Sequence, residues 1–289
     1  MSDARKSVLE TIRDIRHVNT EWITRARQRQ RSLTKPPGSL GRLEEVAERM
    51  CAIQERIHPD VSRRRIVVFA ADHGVTVEGV SAYPSEVTAQ MVVNFVRGGA
   101  AVNALAGVAN ADVWVVDVGV ARPISVGSER VRLVPRRVRE GTRNMAEGPA
   151  MSEPEMLAAI AAGIEQADQA AEDGVAMIGL GEMGIGNTTA ASAVTAALTG
   201  LPPSRVTGRG TGVNDANLAR KVSVVERARN SVAAITSIAD LLPVAGRGQR
   251  AAGPRLKVYR TWVTVRGLKW ARTLIVSAGH RPSSPRLQG

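Results

Sequence analysis

The feature that most constrains the fold is a change of hydrophobic pattern at Arg65. Beyond it, short apolar runs at residues 66–71, 113–118 and 175–180, interrupted only by Asp117, alternate with segments of helical periodicity. Strands that are apolar throughout are buried on both faces, as in parallel sheets that helices cover on two sides. The sequence therefore predicts an α/β fold with a parallel sheet.

The chain before this change is predicted to be helical. In residues 3–30, apolar side chains recur on one stripe, which predicts a single amphipathic helix that needs a packing partner. The stripe consists of Val8, Ile12, Ile15, Val18 and Trp22. A Lys-Pro-Pro-Gly-Ser sequence at 35–39 ends this helix, and a second helix is predicted from about Leu40. We expect these two helices to pack together outside the main sheet.

Further helices are predicted between and after the strands. They cover residues 85–96, 152–171, 187–198 and 215–238. Ser152 and Glu155 have the spacing of a capping box, which marks the start of the second of these helices. The regular pattern stops after Asp240, so no further element is predicted beyond it.

The net charge of +12 is concentrated at the C-terminal end of the chain. Residues 243–289 hold ten basic residues and no Asp or Glu, whereas the other 29 basic residues nearly balance the 27 acidic ones. A basic patch on a folded domain would indicate a nucleic-acid partner, but a polybasic tail is more often solvated or disordered. We therefore expect no nucleic-acid partner, and salt-dependent binding through the tail is the less favoured alternative.

Three features favour a cytoplasmic protein without a membrane partner. The N-terminal stretch is charged where an export signal would need an apolar core. No apolar run is expected to reach the roughly 20 residues that a membrane span requires. The single Cys51 cannot form an internal disulfide, and its neighbours Met50 and Ile53 are typical of a buried structural cysteine.

A glycine-rich segment, residues 179–189, lies between a predicted strand and a predicted helix. Backbone N–H groups and the helix dipole can hold a phosphate there, and the candidates are Gly184, Gly186, Asn187 and Thr188. Residues 179–184 match G-x-G-x-x-G, but no second strand ending in an acid follows about twenty residues later, which disfavours a dinucleotide site. A Walker loop is excluded because no Gly-Lys-Ser/Thr follows. A phosphate site and a tight turn without a ligand both remain open.

Glu182 is unusual in such a turn because a phosphate repels a carboxylate. It is a candidate to contact a substrate proton or hydroxyl, unless it only caps nearby N–H groups. A second glycine-dense loop contains Gly208 and Gly210. Arg220 and Lys221 follow it as candidate phosphate cations, although such residues are often solvated surface charges.

Asp72 and His73 follow the first predicted strand, at the edge where ligands bind in open α/β sheets. Ser81, Tyr83 and Gln90 come next and lie within reach of that edge. An Asp-His pair could bind a metal ion, but the other three histidines fall in the first two helices and the tail. Because there is no second cluster of ligands, we expect no metal site.

Five motifs resemble those of the nicotinate-nucleotide:dimethylbenzimidazole phosphoribosyltransferases. They are Leu-Thr-Lys-Pro-Pro-Gly-Ser-Leu-Gly-Arg-Leu at 33–43, Ala-Asp-His-Gly-Val at 71–75, Gly-Val-Ser-Ala-Tyr-Pro at 79–84 with Glu-Val-Thr at 86–88, Gly-Thr-Arg-Asn-Met at 141–145, and Gly-Glu-Met-Gly-Ile-Gly-Asn-Thr-Thr at 181–189. Several of these motifs are long and they occur in the family's order. The resemblance covers about residues 30–240.

The resemblance implies a fold and a domain organisation. The fold is a Rossmann-like parallel sheet with helices on both faces, plus a small helical domain made from both chain ends. Residues 1–62 would be the N-terminal helices of the small domain, and residues 63–240 the α/β nucleotide-binding catalytic domain. Residues 241–289 would be an atypical basic tail that is expected to be poorly ordered. A homodimer is implied as well.

The implied reaction transfers the phosphoribosyl group of nicotinate mononucleotide to 5,6-dimethylbenzimidazole, with inversion at the ribose C1′. The products are α-ribazole 5′-phosphate and nicotinate, and no cofactor or metal is needed. By the resemblance, the residues that hold the phosphate are Gly184, Gly208, Gly210 and Lys221. Those that line the benzimidazole pocket are Ser81, Tyr83 and Gln90. Glu182 is implied to contact the reacting ribose or base.

The C-terminal end departs from the family's pattern. Family members are longer and carry a C-terminal Arg-Leu-Gly-Glu-Gly-type motif whose glutamate is the general base, whereas this chain has no Asp or Glu after Asp240. Glu182 is then the nearby stand-in, and a catalytically impaired nucleotide-binding homologue is the alternative. We hypothesise that the reading frame shifts near Asp240, in which case another frame should encode a Gly-Glu-Gly loop downstream. A divergent tail that binds an anionic partner is the milder interpretation.

Overall fold

The computed structural model describes residues 3–15, 18–127 and 129–231. The expectations for residues 241–289, including the frame shift, lie outside the described residues. The elements, in chain order, are α1 (Asp3–Arg13), α2 (Thr20–Ser32), α3 (Arg42–Gln54), β1 (Arg64–Ala71), a 3-10 turn (Gly74–Glu78), α4 (Val87–Val96), α5 (Ala101–Val108), β2 (Ala111–Gly119), β3 (Arg132–Pro135), α6 (Glu153–Glu172), β4 (Met177–Met183), α7 (Asn187–Thr199), α8 (Pro203–Val206) and α9 (Asp215–Ser231).

The described strands form one parallel sheet of order β3-β2-β1-β4. Alternate side chains of the central strand β1 enter two separate cores. Val67 and Phe69 pack with residues of α6, whereas Val68 and Ala70 pack with residues of α4 and α5. Helices therefore cover both faces of the sheet, which confirms the predicted α/β class and explains why the middle of the strands β1 and β2 is apolar.

The prediction of one helix over residues 3–30 is wrong, because two helices, α1 and α2, occupy this stretch. Asn19 caps α2, and its side-chain oxygen accepts from the N–H of Glu21 at 3.0 Å. The two helices pack against different partners. Val8 and Ile12 of α1 lie against α6, whereas α2 packs against α3. The predicted helix pair is therefore α2 with α3, and α1 packs on α6 instead.

The other predicted helices are present with small shifts of their ends. The capping box at the start of α6 is formed, since the Ser152 N–H donates to Glu155 Oε2 at 2.6 Å and the Glu155 N–H donates to Ser152 Oγ at 3.4 Å. The helix predicted over 215–238 is α9, which the structure describes as far as Ser231. The short elements α5, β3 and α8 were not predicted.

The stretch Val87–Val108 has the length and composition of a membrane span, contrary to the expectation that no apolar run reaches that length. In the structure it consists of two helices, α4 and α5, that are separated at Gly98 and Gly99. Val92 and Val96 of α4 are fully buried in the core on one face of the sheet. Each helix is much shorter than the roughly 20 residues that cross a bilayer.

Candidate active site

The strand β4 begins and ends later than the predicted strand at 175–180, and it contains the first two glycines of the glycine-rich segment. Gly179 and Gly181 pair with Ile66 and Val68 of β1. A Cβ on Gly179 would lie 2.5 Å from Ile66 Cδ1, and one on Gly181 would lie 3.2 Å from Val68 Cγ2. These glycines make room for side chains of the neighbouring strand. The first two glycines of the G-x-G-x-x-G match are therefore strand residues, and only its third glycine, Gly184, lies in the turn after Met183.

The turn after β4 depends on two glycines. A Cβ on Gly184 would lie 2.1 Å from the carbonyl oxygen of Ala71, so only glycine fits at this position. Gly186 has a φ of 95°, which favours glycine because a side chain there would be strained. The N–H of Ile185 donates to Thr88 Oγ1 of α4 at 3.0 Å. The turn is thus held between the end of β1 and α4, and α7 begins immediately after it.

The first turn of α7 meets two other segments of the chain at the carboxyl edge of the sheet. Nζ of Lys221, on α9, donates to Thr188 Oγ1 at 2.5 Å, and Lys221 is only 1% exposed. A Cβ on Gly210 would lie 2.8 Å from Thr188 Oγ1 and 3.2 Å from Lys221 Nζ, so the loop passes directly over this contact. The positive end of the helix dipole and a buried ammonium together favour an anionic ligand.

The loop that carries Gly210 is tied to the start of α9. The Arg209 guanidinium donates to the carbonyl oxygen of Val213 at 3.2 Å and also binds the Asp215 carboxylate. Gly208 lies in the same loop, is exposed, and has no atom within 4 Å of an added Cβ. Both glycines are exposed, but an added side chain would meet other atoms at Gly210 and open space at Gly208.

Glu182 belongs to β4 and not to the turn in which the sequence placed it, since it pairs with Phe69 of β1. Its carboxylate accepts a hydrogen bond from the side-chain amide of Asn187, the first residue of α7. The oxygen of that amide in turn contacts Nε2 of His73, which is 3% exposed. Burial lowers the pKa of His73 below its ordinary value, while the bond to Asn187 and the nearby Asp72 oppose this shift.

Asp72 connects the loops that follow three strands. Its Oδ2 accepts from the N–H of Ala121 at 2.9 Å, and its carbonyl oxygen accepts from the N–H of Thr142 at 3.0 Å. The N–H of Gly74 donates to the carbonyl oxygen of Thr142 at 3.0 Å. These bonds join two of the recognised motifs beside the site. Within the described ranges, no three His, Cys, Asp or Glu side chains are grouped so that they could hold a metal ion.

The residues predicted to line a pocket for the base lie before and on α4. Ser81 is partly buried and its Oγ accepts from the N–H of Tyr83 at 3.2 Å, while Tyr83 is 53% exposed and Gln90 is exposed. In this segment it is Thr88 that accepts the hydrogen bond from the turn, from the N–H of Ile185, and sequence reasoning did not single this residue out. Thr88 lies inside the Glu-Val-Thr motif, and its place in that motif was the sequence feature that could have identified it.

Glu78 and Asn144 are two further residues that sequence reasoning did not single out. The Glu78 carboxylate accepts from Asn144 Nδ2 at 2.7 Å and from the guanidinium of Arg227 on α9, and these bonds lower the pKa of Glu78. The contacts hold the helix that carries Lys221 against the loop after β1. Asn144 lies in the Gly-Thr-Arg-Asn-Met motif, so the sequence drew attention to this residue but did not indicate Glu78 as its partner.

Comparison with known proteins finds one family and many relatives. A family model described as "Phosphoribosyltransferase" matches residues 15–251. A relative from Geobacter metallireducens, named nicotinate-nucleotide--dimethylbenzimidazole phosphoribosyltransferase, is 52% identical over 219 residues, which are 76% of this chain and 61% of that protein. A relative of the same name from Thermus thermophilus is 53% identical over 211 residues, which are 73% of this chain and 62% of that protein.

A solved structure gives the same result. The crystal structure of CobT from Thermus thermophilus superposes with a TM-score of 0.68 and 53% identity, over 73% of this chain and 62% of that one. The chain spans about three fifths of the length of the curated relatives it matches.

Proposed function

Since the chain belongs to the phosphoribosyltransferase family, we propose that it transfers the phosphoribosyl group of nicotinate mononucleotide to 5,6-dimethylbenzimidazole. The products are α-ribazole 5′-phosphate and nicotinate, and the reaction serves the assembly of the cobalamin nucleotide loop. The names of the relatives support these two substrates. The observation that carries the proposal is the contact of Lys221 with Thr188 at the start of α7, next to the strand that carries Glu182.

The 5′-phosphate of the nucleotide is proposed to bind at this contact. In the first turn of α7 the N–H of Asn187 donates to the carbonyl oxygen of Gly184, and those of Thr189 and Ala190 donate to the carbonyl oxygen of Gly186. The groups proposed to face the anion are therefore the Thr188 N–H and the positive end of the helix dipole. The buried ammonium of Lys221 supplies the positive charge, and Gly208 and Gly210 belong to the loop beside it. A phosphate held at two helices fixes the position of the ribose attached to it.

Glu182 is proposed to act at the ribose C1′. As the bond from C1′ to the pyridine nitrogen breaks, its electron pair leaves with nicotinate, and positive charge develops on the ribose ring. A carboxylate fixed nearby stabilises this charge without having to reorganise. The acceptor nitrogen of the benzimidazole then forms its bond to C1′ from the opposite side, which gives inversion. We propose that Ser81, Tyr83 and Gln90 hold the base in line for this attack.

The proton on the other ring nitrogen must leave once the new bond forms, because that nitrogen becomes acidic. The chain has no Asp or Glu after Asp240 to accept it, so Glu182 is the proposed acceptor. The lack of an acidic residue after Asp240 also favours a second candidate function. In this alternative, the protein binds nicotinate mononucleotide but turns it over slowly or not at all.

The experiment that separates these candidates uses the full chain with both substrates. Nicotinate and α-ribazole 5′-phosphate are quantified by chromatography and mass spectrometry, with the base omitted as the control. Equal amounts of the two products, formed only when the base is present, support the transferase. Binding of nicotinate mononucleotide without release of nicotinate supports the second candidate. Absence of both binding and release overturns both.

We also propose that the protein acts as a homodimer in the cytoplasm. The family resemblance is the basis for the dimer, and the reaction's intracellular nucleotide substrate is the basis for the location. Sedimentation equilibrium of the purified chain tests the first point. A mass equal to that of one chain at all concentrations would contradict the dimer.

A further inference from the structure

His73 has no role in the proposed reaction so far, yet it is buried beside the carboxylate that does. It lies two residues after the end of β1, and one side chain, that of Asn187, connects it to Glu182 through two hydrogen bonds. The three residues come from the end of β1, the end of β4 and the start of α7, which are separate in the sequence and adjacent at the carboxyl edge of the sheet.

The hydrogen-bonding capacity of these groups fixes the direction of each bond. An ionised carboxylate only accepts, so the amide NH₂ of Asn187 must face Glu182. The amide oxygen of Asn187 therefore faces His73, and an amide oxygen also only accepts. Nε2 of His73 must then carry the hydrogen. The chain runs from the His73 N–H to the Asn187 oxygen, and from the Asn187 NH₂ to the Glu182 carboxylate.

The surrounding glycines make this chain possible. A Cβ on Gly186 would lie 3.1 Å from the Cβ of His73, and one on Gly184 would lie 2.7 Å from Oδ1 of Asn187. A side chain at either position would push the imidazole or the amide out of place. The two glycines thus allow the backbone turn and also leave space for the contact between His73 and Asn187.

The protonation state of the imidazole suits a positioning role. Burial lowers the pKa of His73, so the ring is neutral at neutral pH and donates without bringing a positive charge. A cation at this place would offset the negative charge of Glu182, which the proposed reaction needs beside C1′. A neutral donor orients Asn187 and leaves the charge of the carboxylate intact.

We propose that His73 is a positioning residue which, through Asn187, holds the Glu182 carboxylate in the orientation required at the reacting ribose carbon. The inference rests on the proposed function. It differs from a purely structural role of a buried histidine in one respect: the effect of His73 on turnover must pass through Glu182.

The test uses four proteins: the wild type, His73→Phe, Glu182→Gln and the double variant. Release of nicotinate in the presence of the base is measured for each. We expect His73→Phe to lower kcat about tenfold or more while KM for nicotinate mononucleotide changes less than about twofold, because the phosphate contacts are untouched. In the Glu182→Gln background, the same substitution should have no further effect. A further loss of similar size there overturns the inference.

Two more variants separate positioning from folding. His73→Gln keeps an N–H donor and should recover most of the lost kcat, whereas failure to recover it while the protein is folded counts against the inference. His58→Phe replaces an exposed histidine and should leave kcat unchanged. If His73→Phe does not fold, the smaller His73→Leu takes its place in the same cycle.

Stability measurements test the inference about His73 independently of the proposed function. If the wild type releases no nicotinate, the proposed function fails, and the free energies of unfolding of the same four proteins decide whether the chain of contacts exists. Effects of the two substitutions that are not additive support the coupling of His73 to Glu182. Additive effects overturn it.

Discussion

Nζ of Lys221 lies 2.5 Å from Thr188 Oγ1, so a side chain of α9 reaches the first turn of α7. The ammonium is almost completely buried, and the backbone of Gly210 passes over it. The ammonium therefore lies at the positive end of the α7 dipole, in a place that water reaches poorly. Such a site gains most from a ligand that is itself negatively charged. We infer that Lys221 contributes to the binding of the nucleotide phosphate and not to the binding of the base.

Replacing Lys221 tests whether it binds the nucleotide phosphate and not the base. We expect Lys221→Met to weaken the binding of nicotinate mononucleotide about 10- to 100-fold, because hydrogen bonds from a charged group contribute about 1.5–3 kcal/mol. Isothermal titration calorimetry measures the affinity, and 5,6-dimethylbenzimidazole alone should bind both proteins equally. The matched control is Lys6→Met, which removes an exposed lysine on α1. Unchanged nucleotide affinity in Lys221→Met would refute the phosphate site.

The turn before α7 should tolerate no side chain at its first glycine. A Cβ on Gly184 would overlap the carbonyl oxygen of Ala71, which is backbone and cannot rotate away. We expect Gly184→Ala to lower the free energy of unfolding by about 2–3 kcal/mol or more. Gly148→Ala is the matched control, since a Cβ there meets no atom within 4 Å, and it should be neutral or stabilising by up to about 1 kcal/mol. Urea denaturation measures both, and equal effects would contradict the prediction.

Arg65 forms ion pairs with two aspartates that differ in distance and exposure. Its guanidinium is 3% exposed, lies 3.6 Å from the ring centroid of Trp114, and pairs with Asp173 at 2.8 Å and with Asp112 at 3.6 Å. This ion pair lowers the pKa of Asp173. The side chain of Asp112 is 59% exposed, so water solvates its charge and screens its attraction to Arg65.

The two aspartates therefore give unequal effects when they are neutralised. We expect Asp173→Asn to lower the free energy of unfolding by about 2 kcal/mol, because it leaves a buried guanidinium without its main counter-charge. Asp112→Asn should cost less than about 1 kcal/mol. Thermal and urea denaturation of the two variants give the comparison. A larger loss for Asp112→Asn would show that the assignment of the main partner is wrong.

The sheet could be predicted because its sequence signal is local. The strands β1 and β2 are buried on both faces, so the central part of each is a nearly continuous apolar run whatever its neighbours are. The capping box of Ser152 and Glu155 is local as well. The break between α1 and α2 was missed because the apolar stripe continues across it, and only the cap at Asn19 and the separate partners of the two helices reveal it.

The site could be predicted only in part, because its contacts join distant positions. Lys221 and Thr188 are 33 residues apart, and His73 and Asn187 are 114 apart, so no spacing in the sequence relates them. Glu182 was placed in the turn because the glycines before it look like loop residues. In the structure these glycines accommodate side chains of β1, and Glu182 is a strand residue. The motifs drew attention to residues of the candidate site, whereas the contacts between these residues could be seen only in the folded structure.

The capping carboxylate of α6 predicts a pH dependence of stability. The N–H of Ser152, together with the Ser152 hydroxyl and Arg143, lowers the pKa of Glu155 from its ordinary 4.5 to about 2, against the opposing effect of burial. A carboxyl group whose pKa is depressed by folding stabilises the protein fully above its unfolded pKa. That contribution is lost as pH falls from about 4.5 toward 2.

The Glu155→Gln variant isolates this contribution, because glutamine keeps the shape and can still accept from the Ser152 N–H but does not titrate. We expect the difference in free energy of unfolding between wild type and variant to be constant between about pH 7 and pH 5, and to shrink as pH is lowered further. Urea denaturation at each pH measures it, after near-ultraviolet spectra show that both proteins are folded there. A difference that stays constant down to about pH 3 would mean that the charge of Glu155 does not stabilise the helix start.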